Sequence, residues 1–319
     1  MKSAIVKVET QAVQSQNIMS AELVESFINF AGVSEKSAAT YKIALRQMFK
    51  YFSVNSIAKP KRCDLENWRE ELKSQKKSAS TIMLYLTACK IFFRWLAQEN
   101  IYLNIADHLK SGVKKSYDHK KDALTNTQAG KLIRSVEGTD EKSRRDRAVI
   151  ALMATAGLRC IEVIRADVGD MIEQYGRVYL LVQGKGRSQK DARVLVPAQV
   201  VKLIRDYLET RKDLTADAPL FTSTANRNKG SRLTTQTISK TVKKNLRAIG
   251  LDSRRLSAHS LRHTAITTMI LAGCDLADAQ VVARHAQIST TMIYNNAVQR
   301  MKITAEQIAA DSIFDTISA

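Results

Sequence analysis

Between Asn104 and Ala123 the regular spacing of apolar residues that marks the chain on either side breaks off. The stretch D-H-L-K-S-G-V-K-K-S-Y-D-H-K-K-D (residues 107–122) is dense in charge and poor in apolar side chains. A segment of that composition has little to bury, so it divides the 319 residues into two bodies, each of which must build its own core. The division predicted is a loose arm over residues 1–19, a helical domain over 20–109, a basic linker over 110–123, and a second domain with a tail helix over 124–319.

Before the break the pattern is helical throughout. Ser20 precedes A-E-L-V-E-S-F-I-N-F, which places Leu23, Phe27 and Phe30 at helical spacing. Residues 35–52 carry one apolar stripe, Tyr41, Leu45, Met48 and Phe52, and one basic stripe, Lys42, Arg46 and Lys50. Asp64 caps a third helix, and Ser78 or Ser80 starts a fourth that holds Tyr85, Phe92, Phe93 and Trp95. Four helices with short connections predict a compact helical domain. Lys76 and Lys77 stand just before the fourth helix, where backbone N–H groups favour a phosphate. The basic stripes fit phosphate contact and ordinary solvated faces alike.

After the break the period changes once. A helix opening at Thr125 or Thr127 and a strongly apolar one over Arg147–Ala156 are followed by Gly157 and G-L-R-C-I-E-V. Then R-V-Y-L-L-V-Q-G (177–184) and A-R-V-L-V-P (192–197) read as two strands, with G-K-G-R-S-Q-K-D as their hairpin loop. Helices return at 200–210 and at 234–249, the latter with Lys240, Lys243, Lys244 and Arg247 on one side. The fold class is therefore mainly α with a small β-sheet, in two domains.

Charge limits what such a chain binds. Fifty Lys and Arg against 31 Asp and Glu give a formal +19, which favours a polyanion. No apolar run reaches the roughly 20 residues a membrane span needs, and the first residues lack a secretory apolar region, so the expected place is the cytoplasm, with no membrane partner. Cys63, Cys89, Cys160 and Cys274 are scattered without a C-x-x-C pair and are expected to be reduced packing residues. His259 and His263 lack the Glu of a zinc-protease helix, so no metal is expected. No phosphate-cradling glycine loop appears, and no cofactor is expected.

One segment concentrates chemistry. In H-S-L-R-H-T, His259, Arg262 and His263 fall at i, i+3 and i+4 and share a helix face, pairing imidazoles with a permanent cation, which suits a phosphate. His285 follows one short helix later, and Tyr294, a phenol able to donate a proton or act as nucleophile, nine residues after that.

Arg159, Lys185, His259, Arg262, His285 and Tyr294, in that order and with those neighbours, resemble the tyrosine recombinase (phage integrase, Xer-like) family. G-L-R-x-x-E at 157–162 looks like its first box, G-K-G at 184–186 its hairpin lysine, H-x-L-R-H-T at 259–264 its second box, and His285 with S-T-T-x-x-Y its last. The likeness covers about residues 123–297, and the helical first domain is similar in size and position to the family's core-binding domain. One departure is Ala283-Arg284 where members usually have Leu-Gly; the bulk of Arg284 bears on the orientation of His285.

The resemblance implies a helical core-binding domain and a mixed α+β catalytic domain that clamp duplex DNA at a specific recombination site. It implies attack by Tyr294 on a backbone phosphorus to give a 3′-phosphotyrosyl link. Arg159 and Arg262 would stabilise the charged oxygens, the loss of either costing on the order of 2.7–4 kcal/mol. Lys185 would protonate the leaving 5′-oxygen, His259 would manage the tyrosine proton, His285 would hydrogen-bond the phosphate, and Glu162 would support the arginine helix. Lys42, Arg46, Lys76, Lys77, Lys114, Lys115, Lys240, Lys243 and Lys244 are the candidate DNA contacts. A tetramer of identical or related protomers is expected on the DNA, with the tail over Ile303–Phe314 docking on a neighbour. A type IB topoisomerase and a DNA-binding protein without catalysis stay open as alternatives.

Overall fold

A computed structural model describes residues 18–113, 121–184, 186–212, 214–302 and 304–315, the side chains of residues 301, 302 and 315 excepted. Its chain divides into two compact units, Met1–Ser116 and Tyr117–Ala319.

The first unit is a cluster of four helices: α1 (Ala21–Ala31), α2 (Glu35–Val54), α3 (Arg62–Ser74) and α4 (Ala79–Gln98). Serine side chains cap three of them. Ser20, Ser34 and Ser78 accept the backbone N–H of Leu23, Ser37 and Thr81, supplying the partner that a first helical turn lacks. The stripes read from the sequence form the core: Leu45, Met48 and Phe52 of α2 and Phe92 and Phe93 of α4 are fully buried, around Phe27 and Trp68. Phe30 differs. It lies at the rim, 53% exposed, with its ring centroid 6.1 Å from that of Trp95.

Two expected boundaries move. The arm drawn to residue 19 ends too late, because Ile18 is buried in this first core and Met19 packs against it. The beginning of the expected linker belongs to the first unit, where Arg69 donates to the Lys110 carbonyl and Val113 lies against the core. Lys114 and Lys115 lie outside the described residues.

The second unit is built around two helices, α6 (Glu141–Ala156) and α10 (Ala258–Leu271), which pack on one another. Around them stand α5 (Asn126–Arg134), α7 (Cys160–Arg165), α8 (Ala198–Leu208), α9 (Thr235–Ala248), α11 (Leu276–Ala283) and α12 (Ile288–Lys302); α13 (Ala305–Asp315) closes the chain. Ala148 through Met153 are buried along α6, and Ser260 through Ile266 along α10, so both helices are enclosed nearly all round. The sheet has three antiparallel strands in the order β1 (Met171–Gln174), β2 (Arg177–Val182), β3 (Ala192–Leu195), one more than the sequence reading gave. Tyr175 and Gly176, at φ 53° and 68°, make the two-residue turn between β1 and β2. Leu180, Val182 and Val194 turn inward to the core that α6 and α8 share.

All four cysteines are free thiols. Only Cys89 is buried; Cys63, in the first turn of α3, is exposed, so it is no packing residue. Among the described residues no helix is long and apolar enough to cross a membrane.

Candidate active site

Helix α6 ends at Gly157, whose φ of 63° is left-handed, and a Cβ built there would meet Ala265 Cβ of α10 at 3.6 Å. Glycine both ends the helix and keeps α10 close. The Gly157 carbonyl is thereby left at the surface of α10, where it accepts Arg262 Nη1 at 2.5 Å. Two residues later Arg159 stands in extended conformation at the start of α7. The Glu162 carboxylate accepts its backbone N–H and its Nη1, both at 2.8 Å.

Arg262 is 1% exposed, and its second amino group donates to the Ala283 carbonyl at the end of α11. Helix α11 ends on Arg284, which is left-handed at φ 53°. That residue aims its side chain inward, with Nη2 2.7 Å from Glu162 Oε2 and Nε 3.2 Å from Oε1. Arg159 Nη2 in turn reaches the Arg284 carbonyl at 3.3 Å. The ends of α6 and α11 thus hold Arg159 and Arg262 through backbone oxygens, and one fully buried carboxylate serves two guanidinium groups.

Electrostatics follow from this crowding. Burial and the neighbouring charges of Arg159 and Arg284 pull Arg262 down to about 9, and it stays a cation at neutral pH. Burial alone would push Glu162 up; the hydrogen bonds and charge of Arg284, joined by those of Arg159, outweigh it and hold the carboxyl below its ordinary value. Burial pushes the Tyr294 phenol up to about 12, although Arg262 and Arg159 pull against it.

Tyr294 lies in the middle of α12 and is 3% exposed. Its ring centroid is 5.2 Å from that of His263 and 5.9 Å from that of His285. His259 is exposed, and its ring meets His263 edge-on at 4.5 Å. His285 is oriented from α12 as well, its Nδ1 lying 2.9 Å from Thr291 Oγ1.

Arg159, Arg262, His285 and Tyr294 of the expected set therefore converge, with His259 alongside through His263. Lys185 lies outside the described residues. Three participants were not in that set: His263, which the helical spacing had already put on the right face; Arg284, noted only for its bulk; and Thr291, which stands one turn before Tyr294 in S-T-T-x-x-Y.

The basic candidates are differently placed. Arg46, Lys76, Lys77, Lys240 and Lys244 are exposed. Lys42 pairs with Glu25 at 2.6 Å, while Lys243 donates to the Ser253 carbonyl at 2.6 Å and pairs with Asp252 at 2.9 Å. Lys240 and Lys244 line a cleft of about 480 Å³ with Lys142, Asp146 and Ser135.

Comparison with known proteins adds to this geometry. Residues 122–300 match the model of the phage integrase family, and residues 22–100 that of the phage integrase N-terminal SAM-like domain. The chain is 28% identical to tyrosine recombinase XerC of Corynebacterium glutamicum over 76% of its own length and 75% of that protein. It is 25% identical to tyrosine recombinase XerA of Pyrococcus horikoshii over 95% of its own length and 98% of that protein. In fold it is similar to the XerH site-specific recombinase bound to palindromic difH substrate in a post-cleavage complex, with a TM-score of 0.73, 24% identity, and coverage of 93% of this chain and 85% of that one.

Proposed function

The chain belongs to the phage integrase family of tyrosine recombinases, and from that premise we propose that it cuts and rejoins duplex DNA at a specific site through a covalent link to Tyr294. The observation that carries the reading is the setting of that phenol: buried, between the rings of His263 and His285, and under the charge of Arg262 and Arg159.

The Tyr294 oxygen attacks the scissile phosphorus. Its new P–O bond forms as the bond to the 5′-oxygen breaks, leaving a 3′-phosphotyrosyl end and a 5′-hydroxyl. The phenol is neutral at physiological pH, so its proton leaves as the bond forms, and the acceptors are the His263 ring beside it and the His259 ring that meets His263. Lys185 supplies a proton to the departing 5′-oxygen. Arg159 and Arg262 meet the charge on the non-bridging oxygens with rigidly held donors. The same residues run the step backwards when the 5′-hydroxyl of a partner strand attacks the phosphotyrosine, so the bond energy is kept and no nucleotide is consumed.

Both units grip the duplex, and the exposed Arg46, Lys76, Lys77, Lys240 and Lys244 contact its backbone. Strand exchange requires assembly of protomers on two sites, a tetramer in its full form. The exposed apolar residues of α13 supply the contact between neighbours. The compartment proposed for this reaction is the cytoplasm.

A duplex nicked close to the cleavage point tests this, because the short product diffuses away and traps the covalent complex. The wild-type chain accumulates the adduct, and sequencing the trapped DNA identifies the site. Tyr294→Phe abolishes the adduct while DNA binding is retained; an adduct formed by the Phe variant removes Tyr294 as nucleophile. Relaxation of supercoiled DNA without any exchange of strands would point to a topoisomerase instead.

A further inference from the structure

Arg284 occupies a position that favours glycine. It caps α11 at φ 53° and ψ 46°, where a side chain strains the backbone. Only 12% of its side chain is exposed, and its three nitrogens are all engaged. Nε and Nη2 reach the two oxygens of Glu162, Nη1 donates to the Val282 carbonyl at 2.6 Å, and Nη2 also reaches the Gly157 carbonyl at 3.3 Å. A guanidinium so committed has little left to offer a substrate. Its contacts instead tie together the end of α6, the first turn of α7 and the end of α11, the three places from which Arg159 and Arg262 are held.

Charge gives this a chemical meaning. Glu162 is fully buried and bonds to Arg159 through both the backbone and the guanidinium. With Arg159 as its sole guanidinium partner, that carboxylate would neutralise the cation most exposed to an incoming phosphate; Arg159 is 26% exposed. Arg284 adds a second cation on the same carboxylate. Resting on the recombinase reading, we propose that Arg284 is a positioning residue of strand cleavage: it neutralises Glu162 and fixes the ends of α6 and α11, so that the charges of Arg159 and Arg262 remain available to the scissile phosphate.

The test uses the full chain and the duplex recovered from the trapping experiment, nicked as before, with single-turnover adduct formation measured at saturating protein. Arg284→Gly relieves the left-handed strain but removes a buried ion pair, so its melting temperature falls, and cleavage is measured well below that temperature, where the variant is folded. Its cleavage rate nevertheless falls by about tenfold or more, the scale of a charge-assisted hydrogen bond lost in a transition state. Its DNA affinity stays within about twofold, because Arg284 makes no contact with DNA in this proposal. Adding Glu162→Gln to Arg284→Gly removes the uncompensated carboxylate and restores most of the rate, which a merely structural role for Arg284 would not produce. Wild-type cleavage by Arg284→Gly, or failure of Glu162→Gln to rescue it, overturns the assignment. If Arg284→Gly does not fold, Arg284→Lys carries the same comparison, with a smaller loss and the same rescue. A wild-type chain that forms no adduct overturns the recombinase reading itself, and this control is read first.

Discussion

Thr291 holds the His285 ring from the helix that carries Tyr294: its Oγ1 is 2.9 Å from His285 Nδ1, and Thr291 is completely buried. Tyr294 follows one turn later on the same helix, so α12 sets the phenol and the imidazole together. Thr291→Val keeps the volume and removes the hydroxyl, leaving Nδ1 against a methyl group. Adduct formation on the nicked duplex is expected to slow by roughly three- to tenfold, the worth of one net hydrogen bond, while Thr291→Ser retains most of the rate. A Val variant that cleaves like the wild type would free His285 of this dependence.

The alkaline behaviour of Tyr294 follows from its burial. Its pKa is raised from the ordinary 10.0 to about 12, so the unfolded chain loses this proton at a lower pH than the folded one. The group's contribution to stability is therefore intact below pH 10 and is lost as pH rises through about 12. Comparing unfolding of the wild type and Tyr294→Phe across that window isolates the effect, since the Phe variant loses less stability with pH. The tyrosinate absorbance missing from the variant should titrate near the upper end of the window. A missing component that titrates at the ordinary value would contradict the buried setting.

Much of this was legible because helical spacing fixes faces. The Leu45, Met48 and Phe52 stripe is core, and His259, Arg262 and His263 share a face of α10. Where the reading stopped, the deciding information was not carried by side-chain identity. The carbonyls of Gly157 and Ala283 that hold Arg262 come from helix ends, and a backbone oxygen leaves no mark of its own in a sequence. Spacing also put His263 beside His259 without saying which ring would lie against Tyr294. Strand β1 was missed because M-I-E-Q is too short to show alternation, and its signal lay in the Tyr175-Gly176 turn. Ile18, followed by Met19 at the end of a polar stretch, gave no periodicity, yet the first core takes it in.

Lys77 offers a separate test of the DNA contacts. Lys76 and Lys77 are exposed beside Ser78, the cap of α4, where the first-turn N–H groups add to the positive potential. If Lys77 neutralises one phosphate, Lys77→Ala reduces the slope of log affinity against log salt by about one and weakens binding to unrelated duplexes as much as to the site. Cleavage at saturating protein stays unchanged. An unaltered salt slope would return Lys77 to the solvated surface.

The tail helix α13 presents Ile308, Ile313 and Phe314 at 65%, 59% and 65% exposure. Side chains of this kind gain about 1.5–3 kcal/mol each when fully buried, so a docked α13 supplies enough to stabilise an assembly, while an undocked one adds little to the protomer's own fold. Removing residues 304–319 should therefore leave the melting temperature and the single-site adduct nearly unchanged. It should lower pairing of two DNA-bound protomers by about tenfold or more, as measured by sedimentation or band-shift on paired sites. Replacing the three apolar residues with serine should reproduce the loss without shortening the chain. Paired complexes that form as readily without α13 would show that neighbouring protomers meet through another surface, and a fall in melting temperature would show that the helix packs against its own unit.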